Sequence, residues 1–220
     1  YMGFFTILII LPVSFIFACL INQALIGKNL FRVLYFLPNV TSVIAISLVF
    51  KVLFYPTEAG TVNYVLSFFQ IGPLGWLNDP NSSKWVVIIM GLWHSIGYSI
   101  IIFLAGLQSI STELYEAAEV DGATGFQRWL YITTPLMRPI FVFMLVIGVI
   151  GAMERFGDVY ALGGASGSPL RSLQTIVSYF YEQGLMAGQY GLGAAAAVVI
   201  FFLIISVTLI NFHFTKSKEA

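Results

Sequence analysis

The stretch Glu113-Leu-Tyr-Glu-Ala-Ala-Glu-Val-Asp-Gly-Ala-Thr-Gly-Phe-Gln-Arg-Trp-Leu-Tyr-Ile-Thr-Thr-Pro-Leu-Met-Arg-Pro139 interrupts an otherwise hydrophobic chain, acidic at first and then basic. Ser111 or Thr112 can cap a helix at its start, and acids fill the opening turn, where the helix dipole favours them. Ala117 and Ala118 are strong helix formers with almost no side chain in the way. Asp121-Gly122 is a turn signal, because Gly122 can supply the positive φ that ends a helix. Residues 126–131 then predict a second short helix carrying Phe126, Trp129 and Leu130. Pro135 is expected to interrupt it, and Pro139 sits where the next helix begins. The reading is a compact helix–turn–helix. Alanines permit close approach and acids can meet basic groups, so it can insert into a cleft on another protein. An ordinary amphipathic surface helix accounts for the same residues.

On either side of this stretch the chain is too apolar for water. Of 220 residues, 59% are hydrophobic and only 9% charged, against about 25% charged in a soluble domain. Mean hydropathy is +0.91, so lipid must be the solvent for much of the surface. A helix needs about 20 apolar residues to cross the hydrocarbon layer. Five segments approach that standard, at 1–20, 33–53, 85–107, 140–162 and 192–214. The first two contain Pro12 and Pro38, and the fourth is apolar only as far as Ala152. The connections are 21–32, the turn-rich 54–84, the acidic-then-basic 108–139 and the glycine-rich 163–191.

Lysine and arginine near helix ends set orientation. Alternation puts Lys28, Arg32, Arg128, Arg138, Lys216 and Lys218 on one side, and Lys51, Lys84, Arg155 and Arg171 on the other. That bias makes connection 108–139 cytoplasmic and places Tyr1 outside. The opening Tyr1-Met2-Gly3-Phe4-Phe5 has no basic n-region and no cleavage site, so it does not read as a signal peptide. The expectation is that residues, up to a whole helix, are missing ahead of it.

Several function classes drop out. Formal net charge is zero, and no basic block could track phosphates, so nucleic acid is not an expected partner. Cys19 sits alone in an apolar run, without metal-ligand company, and reads as a small packing residue. The sole Gly-Lys pair, Gly27-Lys28, is followed by Asn29 and makes no phosphate loop. His94 and His213 stand apart on apolar helices, and no hydrolase or metalloprotease motif occurs. No catalytic residue and no metal site is expected.

Polar groups inside spans are costly and are functional candidates by default. The third span holds Trp93, His94, Ser95 and Tyr98: two flat faces for stacking on a sugar ring, and two hydrogen-bonding groups. Interior packing with an interfacial aromatic belt is the plainer alternative. The fourth span ends Met153-Glu154-Arg155-Phe156-Gly157-Asp158. The spacing puts Glu154 and Asp158 four apart on one helical face beside Arg155, where they could bind solute hydroxyls in a water-filled cavity or form a local ion pair. Arg155 is the one cation in the spans near here, so a neutral solute is favoured over an anionic one.

The pattern Tyr115-Glu116-Ala117-Ala118, Asp121-Gly122-Ala123 and Ile132 with Pro135 and Pro139 closely resembles the EAA loop of permease subunits in binding-protein-dependent ABC importers. Ala105-Gly106-Leu107-Gln108 with Leu114-Tyr115, Leu37-Pro38, Gly75-Trp76-Leu77-Asn78-Asp79-Pro80 and Gly163-Gly164 are similar to the maltose-type (MalF-like) sugar branch. The resemblance runs over nearly the whole chain. It implies an all-α, polytopic transmembrane helical bundle of the MetI-like/MalF-like permease fold. Residues 1–220 would form a single permease domain with five spans visible of a six-helix core and a coupling loop at 108–139.

The same resemblance implies that Glu116, Ala117, Ala118, Asp121, Gly122 and Ala123 dock into a cleft on a separate ATPase. Glu116 would meet a basic residue there, and Gly122 would be a turn where a side chain would collide. It raises Trp93 and Tyr98 above His94 as sugar contacts. The chain would bind no cofactor itself, ATP and Mg being used by the partner. Its partners would be a second, unlike permease subunit, two ATPase subunits, an extracytoplasmic solute-binding protein docked on 54–84 and 163–191, and a sugar. The location would be the bacterial cytoplasmic (inner) membrane; the alternatives are an ABC permease for a non-sugar solute and a membrane channel or scaffold that needs no ATPase.

Overall fold

The computed structural model describes residues 1–23 and 28–216, apart from the side chains of 23–32 and 210–216. The side chains of Lys28, Arg32, His213 and Lys216, and all of Gly27 and Lys218, lie outside the described residues. The charge bias that set the orientation rests partly on them.

Every apolar run is helical, as expected where no water is present to satisfy exposed backbone groups. The order is α1 (Met2–Gln23), α2 (Lys28–Val40), α3 (Val43–Leu53), α4 (Thr61–Ser67), α5 (Pro80–Gln108), α6 (Thr112–Val120) and α7 (Gly125–Arg128). A π-helical turn at Trp129–Thr133 leads into α8 (Thr134–Leu136), α9 (Arg138–Met153), α10 (Gly157–Gly163) and α11 (Ile176–Phe180). A second π turn at Tyr181–Met186 leads to α12 (Tyr190–Lys216). No strand occurs among the described residues. Met2–Asn22, Pro80–Gln108, Arg138–Gly163 and Tyr190–Leu209 are long and apolar enough to cross a membrane. A bent pair, Val33–Val40 with Val43–Leu53, makes a fifth span if counted as one.

Two expected spans are therefore broken helices. The second turns by 101° between α2 and α3. Pro38 brings no N–H to the ladder, the Thr41 hydroxyl donates back to the Leu37 carbonyl at 3.0 Å, and Ser42 is extended. The fourth span stops being regular at residues 154–156, where Glu154 closes α9 and α10 restarts at Gly157. Glu154 and Asp158 consequently do not share a helical face, contrary to the expectation from their spacing.

The 29 residues of α5 make it about 43 Å long, and it packs against α1, α2, α3 and α9. Asp79 caps it, accepting from the N–H groups of Asn81 and Ser82, with Pro80 in the first turn. Two separate hydrophobic cores lie along it. Near its start, Phe50, Phe54, Val86, Val87, Met90, Val159, Leu162 and Leu173 pack together. Near its end, Phe15, Phe103, Leu104, Leu107, Met137 and Met144 do so.

The turn-rich connection 54–84 is organised by Asn63, 2% exposed. Its amide nitrogen donates to the carbonyls of Tyr55, Thr57 and Leu74. Its oxygen accepts from the Leu74 N–H at 3.0 Å and from Trp76 Nε1 at 2.8 Å. One side chain thus closes the loop that delivers the chain to the Asp79 cap.

Candidate functional site

The helix–turn–helix at one end of α5 forms from local signals. Ser111 caps α6, accepting from the Glu113 N–H. Gly122 has φ +79°. At this turn the N–H groups of Gly122 and Ala123 donate to the carbonyls of Glu119 and Ala118, closing the helix in a Schellman-like manner. Thr124 and Gln127 then form a reciprocal capping box on α7. Arg128 on α7 pairs with Glu119 on α6 at 2.8 Å, and the Tyr115 hydroxyl lies 2.9 Å from the Thr133 hydroxyl.

Pro135 does not interrupt the second helix as expected. The preceding turn widens to π geometry, with the Thr134 N–H and hydroxyl both donating to the Trp129 carbonyl. The helix absorbs a residue without a donor by changing its hydrogen-bond ladder. Trp129 on this widened turn stacks on Phe15 of α1, ring centroids 6.1 Å apart. Phe15 in turn touches Phe103 and Phe141, so the loop is continuous with the nearer hydrophobic core.

The outer side of the loop is unspent. Glu116, Ala117, Asp121 and Gly122 are exposed, while Ala118 and Ala123 are half-buried beside a shallow notch shared with Tyr131. Val120 is 89% exposed and Phe126 68%. A Cβ placed on Gly122 would meet nothing within 4 Å. Within this chain only its backbone conformation asks for glycine.

Between the two hydrophobic cores lies a cavity of about 360 Å³. His94, Ser95, Tyr98 and Ser99 of α5 line it, with Thr6 of α1, Met90, Met144, Arg155 and Asp158. Ser99 and Thr6 turn their hydroxyls onto carbonyls of their own helices. His94, Ser95 and Tyr98 make no side-chain hydrogen bond among the described residues and remain available to a guest.

Four of the six expected solute contacts, His94, Ser95, Tyr98 and Asp158, are brought together here; Trp93 and Glu154 are not in the lining. Successive helical residues turn by about 100°, so Trp93 points well away from Ser95. It is 47% exposed and packs against Phe50, ring centroids 6.0 Å apart. The resemblance ranked Trp93 above His94, whereas the structure puts His94 in the lining. Glu154 is exposed at the helix break. Asp158 is buried and paired with Arg155.

Sequence reasoning passed over Asn63, Thr6 and Ser99. Asn63 carried no signal of its own, since Gln70 and Asn78 are amides in the same charge-free run from Ala59 to Asn78. Groups of His, Cys, Asp or Glu placed to hold a metal are absent among the described residues.

Comparison with known proteins agrees with this architecture. The chain is 34% identical over 215 residues to the arabinooligosaccharides transport system permease protein AraP of Bacillus subtilis, covering 97% of this chain and 68% of that one. It is 32% identical over 195 residues to the trehalose/maltose transport system permease protein MalF of Thermococcus litoralis, covering 88% and 64%. The chain thus spans about two thirds of the length of these relatives. A crystal structure of a bacterial alginate ABC transporter, in complex with an alginate pentasaccharide-bound periplasmic protein, superposes with a TM-score of 0.89 at 25% identity, covering 98% of this chain and 75% of that one. Residues 10–219 match the family described as binding-protein-dependent transport system inner membrane component, and the chain belongs to that family.

Proposed function

We propose that this chain is the membrane-spanning permease domain, 1–220, of a binding-protein-dependent ABC importer that moves a neutral sugar or oligosaccharide by alternating access. The observation that carries this reading is the pairing of an exposed, preformed helix–turn–helix at one end of α5 with a polar-lined cavity further along the same helix. The sugar permeases among its relatives support the cargo class. The alginate transporter, captured with its periplasmic protein, supports an extracytoplasmic solute-binding partner.

The exposed face carrying Glu116, Ala117, Ala118, Asp121, Gly122 and Ala123 is the docking element for a separate ATPase subunit. That subunit, with ATP and Mg, supplies the energy. A second permease subunit and a second ATPase complete the assembly in the bacterial inner membrane. ATPase closure displaces α6 and α7, and the Trp129–Phe15 contact carries the displacement to the core beneath the cavity. His94, Ser95 and Tyr98 offer hydrogen bonds and a ring face to the solute. Arg155 is already neutralised by Asp158, so the cavity has no spare cation for an acidic or phosphorylated guest.

Uptake of radiolabelled sugars by the reconstituted importer tests the cavity. Ser95→Ala with Tyr98→Phe raises the sugar concentration needed for half-maximal uptake while the ATPase still co-purifies. An unchanged concentration dependence refutes the assignment.

A further inference from the structure

We infer that Arg155 is a positioning residue which latches the cavity at the end remote from the coupling loop. Seated over Gly91, its guanidinium ties the broken fourth span to α5 until the transport cycle separates them. This deepens the function proposed above and rests on its reading of the cavity as the solute path.

Three elements meet at this residue. Its Nε donates to Asp158 across the break between α9 and α10, and its Nη2 donates to the Val87 carbonyl of α5 at 3.2 Å. Its own carbonyl accepts from the hydroxyl of Thr175, the N-cap of α11, at 2.8 Å. A Cβ on Gly91 would run into the guanidinium, so the glycine is the notch that lets the side chain lie flat on α5. Arg155 and Asp158 both line the cavity.

Burial sets this pair apart. Its side chains are 12% and 8% exposed, against 28% and 71% for Arg128–Glu119 and 56% and 19% for Arg171–Glu182. Separating buried charges would strand each without compensation, so Arg155 and Asp158 move as a unit. The contact that can be exchanged is the neutral one, from Nη2 to the Val87 carbonyl. Water or a sugar hydroxyl replaces that carbonyl without exposing net charge.

The position suits a moving part. Residues 154–156 interrupt the helical ladder, and breaks of this kind are where spans hinge. α9 packs chiefly on α1 and touches α5 only lightly. The Arg155 fork is therefore the main polar tie from the fourth span to the central helix.

ATP hydrolysis by the assembled importer, with and without its solute-binding protein, tests the latch. Arg155→Lys keeps the charge beside Asp158 but replaces a planar fork with a point donor, and Gly91→Ala pushes the fork off its seat. Both variants are expected to raise hydrolysis several-fold in the absence of binding protein and to shrink its stimulation by the loaded protein. A purely structural tie would lower assembly yield without this gain, and assembled variants that keep wild-type dependence overturn the latch. Should a variant fail to assemble, Gly91→Cys with Arg155→Cys, carrying Asp158→Asn so that no buried charge is stranded, in a Cys19→Ser background is bridged by a short, reducible bis-thiol linker. Bridging must stop uptake and reduction must restore it; full uptake in the bridged state overturns the proposal. The Ser95 and Tyr98 variants test the solute path separately through uptake, so either idea can fail without the other.

Discussion

The two ends of α5 are built in opposite ways. At the coupling end, the caps, turn and ion pair come from residues 111–139, and the partners lie 2 to 18 residues apart in sequence. At the far end, the contacts join distant segments: Arg155 to Val87, 68 residues apart, and Ser83 to Ser172, 89 apart. The coupling end leaves Val120 and Glu116 exposed, and Phe126, although stacked on Trp129, keeps 68% of its surface open. The far end turns its polar groups inward, and Asn63 and Asp158 are both buried. If the loop docks a partner as proposed, a preformed shape lowers the ordering cost of binding. A mouth that has to hold solute and exclude water must satisfy its polar groups internally, because an unpaired one costs about 1–3 kcal/mol when buried.

That contrast is most sharply tested at Gly122. With open space around its Cβ position, Gly122→Asp meets no obstacle within this chain, and Asp tolerates positive φ better than most residues. The variant is expected to insert with near-normal thermal stability yet abolish stimulation of the partner ATPase. Wild-type stimulation would show that the turn faces no partner, and a large loss of stability would show that the loop is not locally self-sufficient. At the far end the expected outcome reverses. Asn63→Ala removes the hub of the 54–84 loop and strands buried carbonyls and the Trp76 N–H, costing about 3 kcal/mol. Thermal unfolding in lipid nanodiscs and protease cleavage within 54–84 measure that loss; an unchanged midpoint would mean that the loop is held by something other than Asn63.

The same contrast explains what could be read in the sequence. The Ser111 cap, the alanine-rich helix, the Gly122 turn and the helical spans were legible because their causes lie within a few residues of their effects. The π turn before Pro135 was not, since a proline announces a missing donor and says nothing about whether the helix breaks or widens. Helical spacing turns Trp93 well away from Ser95, but it leaves His94 equally close in direction to both, so spacing alone does not say which of them lines a cavity. Arg155 and Asp158 were visible as a possible pair. Their third partner, a main-chain carbonyl of α5 exposed over a glycine, has no local signature at all. Asn63 was hidden for the same reason, because its five bonds run to four residues up to 13 positions away.

Smaller effects probe how stiff the coupling end is by itself. Tyr115→Phe deletes the hydroxyl that spans from α6 to Thr133, and the expected loss is about 1 kcal/mol. Because Thr133 can still donate toward the Arg128 carbonyl, no buried group is stranded. Hydrogen exchange should quicken across 113–120 and leave the 54–84 loop untouched. Faster exchange at both ends would show that the two are mechanically joined.

The finest comparison is between the two helix caps, Ser111 on α6 and Asp79 on α5, because only one of them titrates in the acid range. The Ser82 N–H and then the Ser82 hydroxyl hold the Asp79 carboxyl below the usual carboxylate range, helped by the Asn81 N–H and the charge of Lys84. A depressed folded value means that the native state prefers the ionised cap. Its contribution is therefore complete above the unfolded value of about 3.9 and is lost as pH falls through the lower folded value. Ser111 has no proton to gain over that interval. Acidification from neutral pH to below the unfolded value of about 3.9 should then progressively loosen the first turn of α5 and spare the first turn of α6. The measurement is amide protection at Asn81 and Ser82 against Glu113, corrected for the intrinsic pH dependence of exchange. Asp79→Asn keeps a capping oxygen but cannot ionise, so it should flatten the response at α5. Equal loosening at both caps, or a response that survives in Asp79→Asn, would mean that the acid sensitivity does not come from the Asp79 cap.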